Sequence, residues 1–288
     1  MSALAVFSQA ITISSLLDPA AEAPAGSWVR TGIAGGGSAA LVSLVGEGGD
    51  LESNQPGQDG AVRLATGFSN DDEARVVTYD DFGDAAVTLA DLEVGFSYFK
   101  QTVDGGNVFA APALRIGIES ASGTGDNSGE LVYEPYWNQP GGGAPAAPAD
   151  AWQTVSIFSA TGGGNPDNQN LNGGWWWDGG FEVSNSFGGP PLRSLEEWVT
   201  VFEAADAVDF GTARMVSVGF SVGSYNQGQI GYVDNLSIAV PGSLGVSYDF
   251  SAVPEPAEVA LGVGMLAGLG AWTVRRRQRR VAAKSGRN

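Results

Sequence analysis

Arg214-Met215-Val216-Ser217-Val218-Gly219-Phe220-Ser221-Val222 decides the fold class. Val216, Val218, Phe220 and Val222 fall on one side of an extended chain, and Met215, Ser217, Gly219 and Ser221 on the other. A period of two over nine residues is the signature of a half-buried strand in an antiparallel sheet. Similar runs, broken by loops rich in Gly, Asn and Asp, occur at 39–45, 61–66, 74–79, 92–99, 113–119, 130–136, 153–158, 175–177 and 229–240. Many strands with little helix between them predict an all-β, antiparallel β-sandwich.

One amphipathic helix interrupts the series. Ser194 followed by Glu197 forms a capping box, with Pro190 and Pro191 on the approach. Leu195, Trp198, Val199, Phe202 and Ala205 continue as an apolar stripe at helical spacing, so this short helix should cover part of the sandwich.

The composition narrows the chemistry. The 288 residues include 43 glycines but no cysteine and no histidine. Disulfides, thiolate nucleophiles, imidazole bases and His- or Cys-ligated metals are therefore excluded within the chain. Net charge is −18, unevenly placed. Residues 1–252 carry seven basic and 30 acidic side chains, a net of about −23. Such a surface repels phosphates, which argues against a nucleic-acid partner.

The opposite charge gathers at the end. Val253, Pro254, Glu255 and Pro256 precede an apolar stretch over 257–274, and Arg275, Arg276, Arg277, Arg279 and Arg280 follow it. Eighteen residues make roughly 27 Å of helix at about 1.5 Å each, enough to cross a bilayer core of about 30 Å. The positive-inside bias keeps the arginines cytoplasmic and turns residues 1–252 outward. Gly264 and Gly268 place two small residues one turn apart on this span.

This three-part tail resembles the PEP-CTERM sorting signal of Gram-negative bacteria. The resemblance implies an inner-membrane precursor facing the periplasm and handling by an exosortase. It also implies passage to the cell surface or extracellular matrix, in company with exopolysaccharide and biofilm. Residues 1–26 read as a partial signal peptide and lead-in, although 1–17 can equally be the first segment of the domain. The sandwich is then expected over 27–240 and a linker over 241–252.

The run 228–240, with its Tyr-Val-Asp-Asn-Leu core at 232–236, is similar to the closing strand of jelly-roll carbohydrate-binding modules. That resemblance supports a jelly-roll-like fold. The main functional reading is a non-catalytic surface or matrix protein; the alternative is a carbohydrate-binding module, with calcium as a structural ion. For calcium, Asp71, Asp72, Asp80, Asp81 and Asp84 form the densest acidic patch, and Asp234 lies in the closing strand. Clustered loop carboxylates supply the hard oxygens that calcium takes. For glycan stacking, Trp175 and Trp177 share one side of a strand, and Tyr136 with Trp137 extend the aromatic set. Glu130 and Glu134 share a side of one strand with no acid opposite, so no catalytic carboxylate pair is assigned.

Overall fold

A computed structural model of the chain describes residues 9–19, 23–57, 59–121, 127–139, 145–162, 174–186, 188–240 and 245–252. The chain divides into two units, Met1–Ala252 and Val253–Asn288. Val253, Pro254, Glu255, Pro256, the apolar stretch 257–274 and the five arginines all lie outside the described residues. Among the described residues no helix is long and apolar enough to cross a membrane.

The strands in chain order are β1 (Gln9–Ile13), β2 (Trp28–Ala34), β3 (Ser38–Ser43), β4 (Gly60–Ala65), β5 (Glu73–Tyr79), β6 (Glu93–Gln101) and β7 (Ala113–Ser120). They continue with β8 (Ser128–Tyr133), β9 (Trp152–Phe158), β10 (Trp175–Gly179), β11 (Ala213–Gly223), β12 (Ile230–Ala239) and β13 (Val246–Phe250). Helices are few: α1 (Gly49–Ser53), α2 (Ala85–Asp91), α3 (Leu195–Ala205) and α4 (Ala207–Phe210), with a 3-10 turn at Pro135–Asn138.

Six strands in the order β10-β8-β7-β11-β5-β2 form one sheet, antiparallel throughout. The other has seven strands and is centred on β12. One edge of β12 pairs with β6, which pairs in turn with β9. Its other edge is shared: Ile230–Val233 pairs with β4, and Leu236, Ser237 and Ile238 pair with β13.

Side chains from both sheets share one core, which makes the fold a β-sandwich. Trp28 of β2 meets Phe220 of β11 and, edge-on, Tyr248 and Phe250 of β13 at 5.4 and 4.8 Å. Phe96 of β6 bridges the sheets in the same way, at 5.3 Å from Phe220 and 6.4 Å from Tyr133. The capping box is formed: Ser194 Oγ accepts from Glu197 N at 3.2 Å, and Glu197 Oε2 accepts from Ser194 N at 3.0 Å. Leu195, Trp198 and Phe202 of α3 are buried in the same core.

Three expectations need correction. The run 241–252 is not a linker throughout, because β13 within it buries Tyr248 and Phe250 against Trp28. The sandwich is not confined to 27–240, because Gln9–Ile13 runs parallel to β13 as an edge strand, in keeping with the alternative reading of 1–17 as the domain's first segment. In β11 the alternation breaks once, at a bulge between Met215 and Ser217. Met215 therefore turns into the core beside Val218, Phe220 and Val222, while Ser217, Gly219 and Ser221 keep the other face.

Candidate functional site

The outer face of the six-stranded sheet carries a groove of about 550 Å³. Its floor follows from register. Glu130 of β8 lies opposite Gly117 of β7, and Arg115 of β7 lies opposite both Val132 of β8 and Gly219 of β11. Arg75 of β5 lies opposite Ser221 of β11. Two strands thus separate Arg75 from Glu130, and the two are also offset along the strands, Arg75 being level with Ser221 and Glu130 with Ser217. The pair closes because the two side chains reach toward each other across the outer face. A Cβ at Gly219 would collide with Val76 O, and one at Gly117 with Ser217 Oγ.

Arg75 Nη1 and Nη2 donate to the two Glu130 oxygens at 2.8 and 2.9 Å, and Arg115 Nη1 donates to Glu130 Oε2 at 2.8 Å. Arg115 Nε donates to Ser221 Oγ at 2.7 Å, and its guanidinium carbon sits 5.8 Å from the Trp176 ring centre. Bidentate, charge-assisted bonds of this kind fix orientation as well as contribute energy.

The groove's upper end is built around Glu134, which immediately precedes the 3-10 turn. Its Oε2 accepts from Trp176 Nε1 at 3.0 Å. Burial pushes the carboxyl up to about 7, against the opposing pull of Trp176 and Arg115. Tyr136 and Asp178 line the same groove, as does Tyr225 from the β11–β12 loop. Tyr225 has φ of 66°, its N–H donates to Asn70 O at 3.0 Å, and its side chain is 75% exposed.

The aromatic residues expected to bind divide differently from the sequence reading. Trp175 and Trp177 are fully buried in the sandwich core, where Trp177 packs edge-on to Phe202 at 4.6 Å. They are core residues, and the middle ring, Trp176, faces the groove instead. Tyr136 is on the groove wall, and Trp137 lies tilted against it at 4.9 Å while packing against the cluster of Ala113, Val132, Trp176 and Leu192. Arg75, Arg115 and Tyr225 were not singled out in the sequence, whereas alternation had already turned Trp176 away from its two neighbours. The signal for the arginines was present, since each interrupts an apolar strand at the position facing away from the core.

The acidic patch is dispersed into local roles. Asp72 accepts from Gly36 N at 2.7 Å and Ser69 N at 3.0 Å, and those bonds hold its carboxyl below the usual range. Asp81 pairs with Arg214, whose Nε and Nη2 donate to it at 2.7 and 2.6 Å. Asp84 caps α2 by accepting from Val87 N at 3.1 Å. Asp71 and Asp80 are exposed. Asp234 lies apart at the fork of β12, fully buried. Its Oδ1 accepts from Phe250 N at 2.9 Å, whereas Oδ2 faces Gly57 with no donor in hydrogen-bonding geometry. Asp249 reaches the same spot, because a Cβ on Gly57 would collide with oxygens of both acids. Burial raises Asp234 to about 7. Among the described residues no three acidic side chains converge as a metal site.

No family model and no curated protein matches the chain. Several solved structures do, at low scores. The family 11 carbohydrate-binding module of Clostridium thermocellum, in complex with a β-1,3-1,4-mixed-linked tetrasaccharide, is 14% identical with a TM-score of 0.38. The match covers 74% of this chain and 88% of that one. TmCBM61 in complex with β-1,4-galactotriose is 10% identical with a TM-score of 0.31, covering 75% and 89%. An exo-β-agarase is 9% identical with a TM-score of 0.34, covering 73% of this chain and 24% of that one.

Proposed function

We propose that the sandwich is a non-catalytic glycan-binding domain working outside the cytoplasm, delivered there by a PEP-CTERM-type tail. The groove carries this reading. It is an open cleft on a sheet face, with the rings of Tyr136 and Tyr225 beside guanidinium and carboxylate groups, and Trp176 buried beneath Arg115. Sugars present apolar ring faces and rows of hydroxyls, and this combination offers stacking surfaces next to paired donors and acceptors. Its jelly-roll character is part of the same proposal.

The absence of catalysis is also proposed, from what the acids are doing. Glu130 is tied at both oxygens by two arginines, and Glu134 is held from behind by an indole N–H. Neither is left free to activate a water molecule. Incubation with labelled polysaccharide should give binding without shorter products, and turnover would replace this reading with a hydrolase.

The tail supplies the location. A membrane-spanning stretch with arginines behind it holds the domain on the periplasmic side until an exosortase acts near Pro254-Glu255-Pro256. Release then leaves the domain among exopolysaccharide at the surface or in the matrix. Mass spectrometry of the mature C-terminus from cells should find the arginine cluster removed; an intact C-terminus would overturn this step. For calcium, Asp234 and Asp249 offer only part of the six to eight oxygens the ion takes. A structural ion there would need further ligands from loop carbonyls.

A further inference from the structure

We propose that the groove takes an uncharged, hydroxyl-rich polysaccharide and turns acidic ones away, and that Glu134 makes this binding pH-dependent. The inference rests on the groove being the glycan site and adds the class of glycan. Two guanidinium groups, from Arg75 and Arg115, face four carboxylates there: Glu73, Glu130, Glu134 and Asp178. The arginines do not amount to an anion site, because Glu130 already occupies both. A uronate or sulfate entering the groove would compete with Glu130 for the same N–H groups and would lie against Glu134 and Asp178. Like charges that close in a partly dehydrated cleft repel strongly. A neutral sugar meets no such barrier, since its hydroxyls can accept from the spare guanidinium N–H groups and donate to the carboxylates.

Glu134 is the sensitive member of this set. It is 9% exposed, below the groove surface, accepts from Trp176 Nε1, and is attracted by the Arg115 cation. The charged groups facing it are Arg115 on β7, Glu130 on β8, Asp178 on β10, and Glu73 with Arg75 on β5. Tyr136 lies beside it from the 3-10 turn, and Tyr98 and Tyr133 lie on the core side, where burial keeps both phenols neutral. A neutral chain laid over the groove removes the water that remains around the carboxyl. Desolvation favours the uncharged acid, so binding is accompanied by proton uptake at Glu134 and weakens as pH rises. The carboxyl already titrates at about 7, which puts the effect in an accessible range.

Native affinity electrophoresis of the full chain in mild non-ionic detergent tests both parts. The gels would contain a mixed-linkage β-glucan, a galactan or a xylan as neutral probes, and alginate or hyaluronate as acidic ones, at pH 6 and pH 8.5. At least one neutral probe should retard the protein and neither acidic one should. Affinity should fall on the order of tenfold between the two pH values, the effect of about one further pKa unit on binding. Glu134→Gln keeps an acceptor for Trp176 and should bind the neutral probe equally at both values. If that variant fails to fold, calorimetry of the native protein at pH 7.5 in buffers of different ionisation enthalpy should still show proton uptake on binding the neutral probe; the charge barrier is read separately, since Asp178→Asn should begin to retain alginate. Tighter retention of an acidic probe by the native protein, or the same pH ratio in Glu134→Gln, overturns the inference while leaving glycan binding intact. Retention by none of the probes overturns the glycan reading itself.

Discussion

The two sheets expose outer faces made by the same alternation, and they have opposite characters. On the seven-stranded sheet, Phe99, Tyr232, Leu44 and Leu51 form a second apolar cluster, with Trp152 packed against it. Helix α1 lies within this cover: Trp152 Nε1 donates to Leu51 O at 3.1 Å, and Trp152 N donates to Asp50 Oδ2 at 2.9 Å. On the six-stranded sheet, the corresponding layer is a lattice of arginine and glutamate that leaves a groove open. Both faces carry tryptophan. Both tryptophans pack in apolar clusters, Trp176 the more buried of the two, so a ring on a sheet is no guide to binding by itself; what distinguishes the faces is the charged, open groove beside Trp176.

The sharpest way to break that distinction is to truncate a ring on the sealed face. Phe99→Ala should cost about 3–4 kcal/mol, the usual loss for a buried phenylalanine, and lower the melting temperature by roughly 2–4 °C per kcal/mol. Glycan retention below the melting transition should be unchanged. A loss of binding at a temperature where the variant is folded would mean the sealed face takes part in recognition. The reciprocal change is Arg115→Ala. It removes the cation from Glu134, one of the two partners of Glu130, and the cover over Trp176. Destabilisation of about 1–3 kcal/mol is expected, since a partly buried carboxylate loses a charged partner. Binding should fall by more than tenfold, read by calorimetry on the folded protein.

The sandwich could be read from the chain because burial of one strand face leaves a period of two, and β5, β7 and β11 preserve it. The capping box was legible for the same reason: its chemistry is local, confined to Ser194 and Glu197. What could not be read was the consequence of pairing. Nothing near Arg75 in the chain reveals that Glu130 will lie within its reach; that requires β11 and β7 to come between them in the observed register. The bulge at Met215 could not be seen either, because a bulge is a mismatch between two strands and leaves no mark on one. Strand β13 was hidden because five residues bordered by glycine and proline segments look like a linker until Trp28 packs against them. The tryptophan triplet shows the boundary well: alternation requires Trp176 to oppose its neighbours, but only the core identifies which side is water.

A smaller effect concerns the fork of β12, which contrasts with the groove as a buried acid without a cation. Asp234 has its carboxyl raised to about 7 from an ordinary value of 3.8. Stability contributed by its protonated form is complete below about pH 4 and is lost as pH rises through 7. Asp234→Asn keeps an acceptor for Phe250 N and carries no charge. It should raise the melting temperature at pH 8 by a few degrees and change little at pH 4. Added calcium provides the competing outcome. If Asp234 anchors an ion, calcium will raise the melting temperature of the native protein at pH 8, and Asp234→Asn will abolish that rise and lower stability.

The smallest structural effect belongs to Tyr225, and it separates binding from folding most cleanly. The ring is 75% exposed and has no place in the core, so Tyr225→Ala should leave stability within about 0.5 kcal/mol of the native value. Yet the backbone there adopts positive φ, with its N–H fixed on Asn70 O, which presents the ring at the edge of the charged floor. A non-glycine residue in that conformation is disfavoured unless its surroundings hold it, and such positions gather at sites that contact ligands. If the ring stacks on a sugar, its removal should weaken binding several-fold, while Tyr225→Phe, which keeps the face and loses only the hydroxyl, should retain most of it. Equal losses in both variants would show that the hydroxyl rather than the ring face makes the contact. No loss in either would confine recognition to the floor between Trp176 and Arg75.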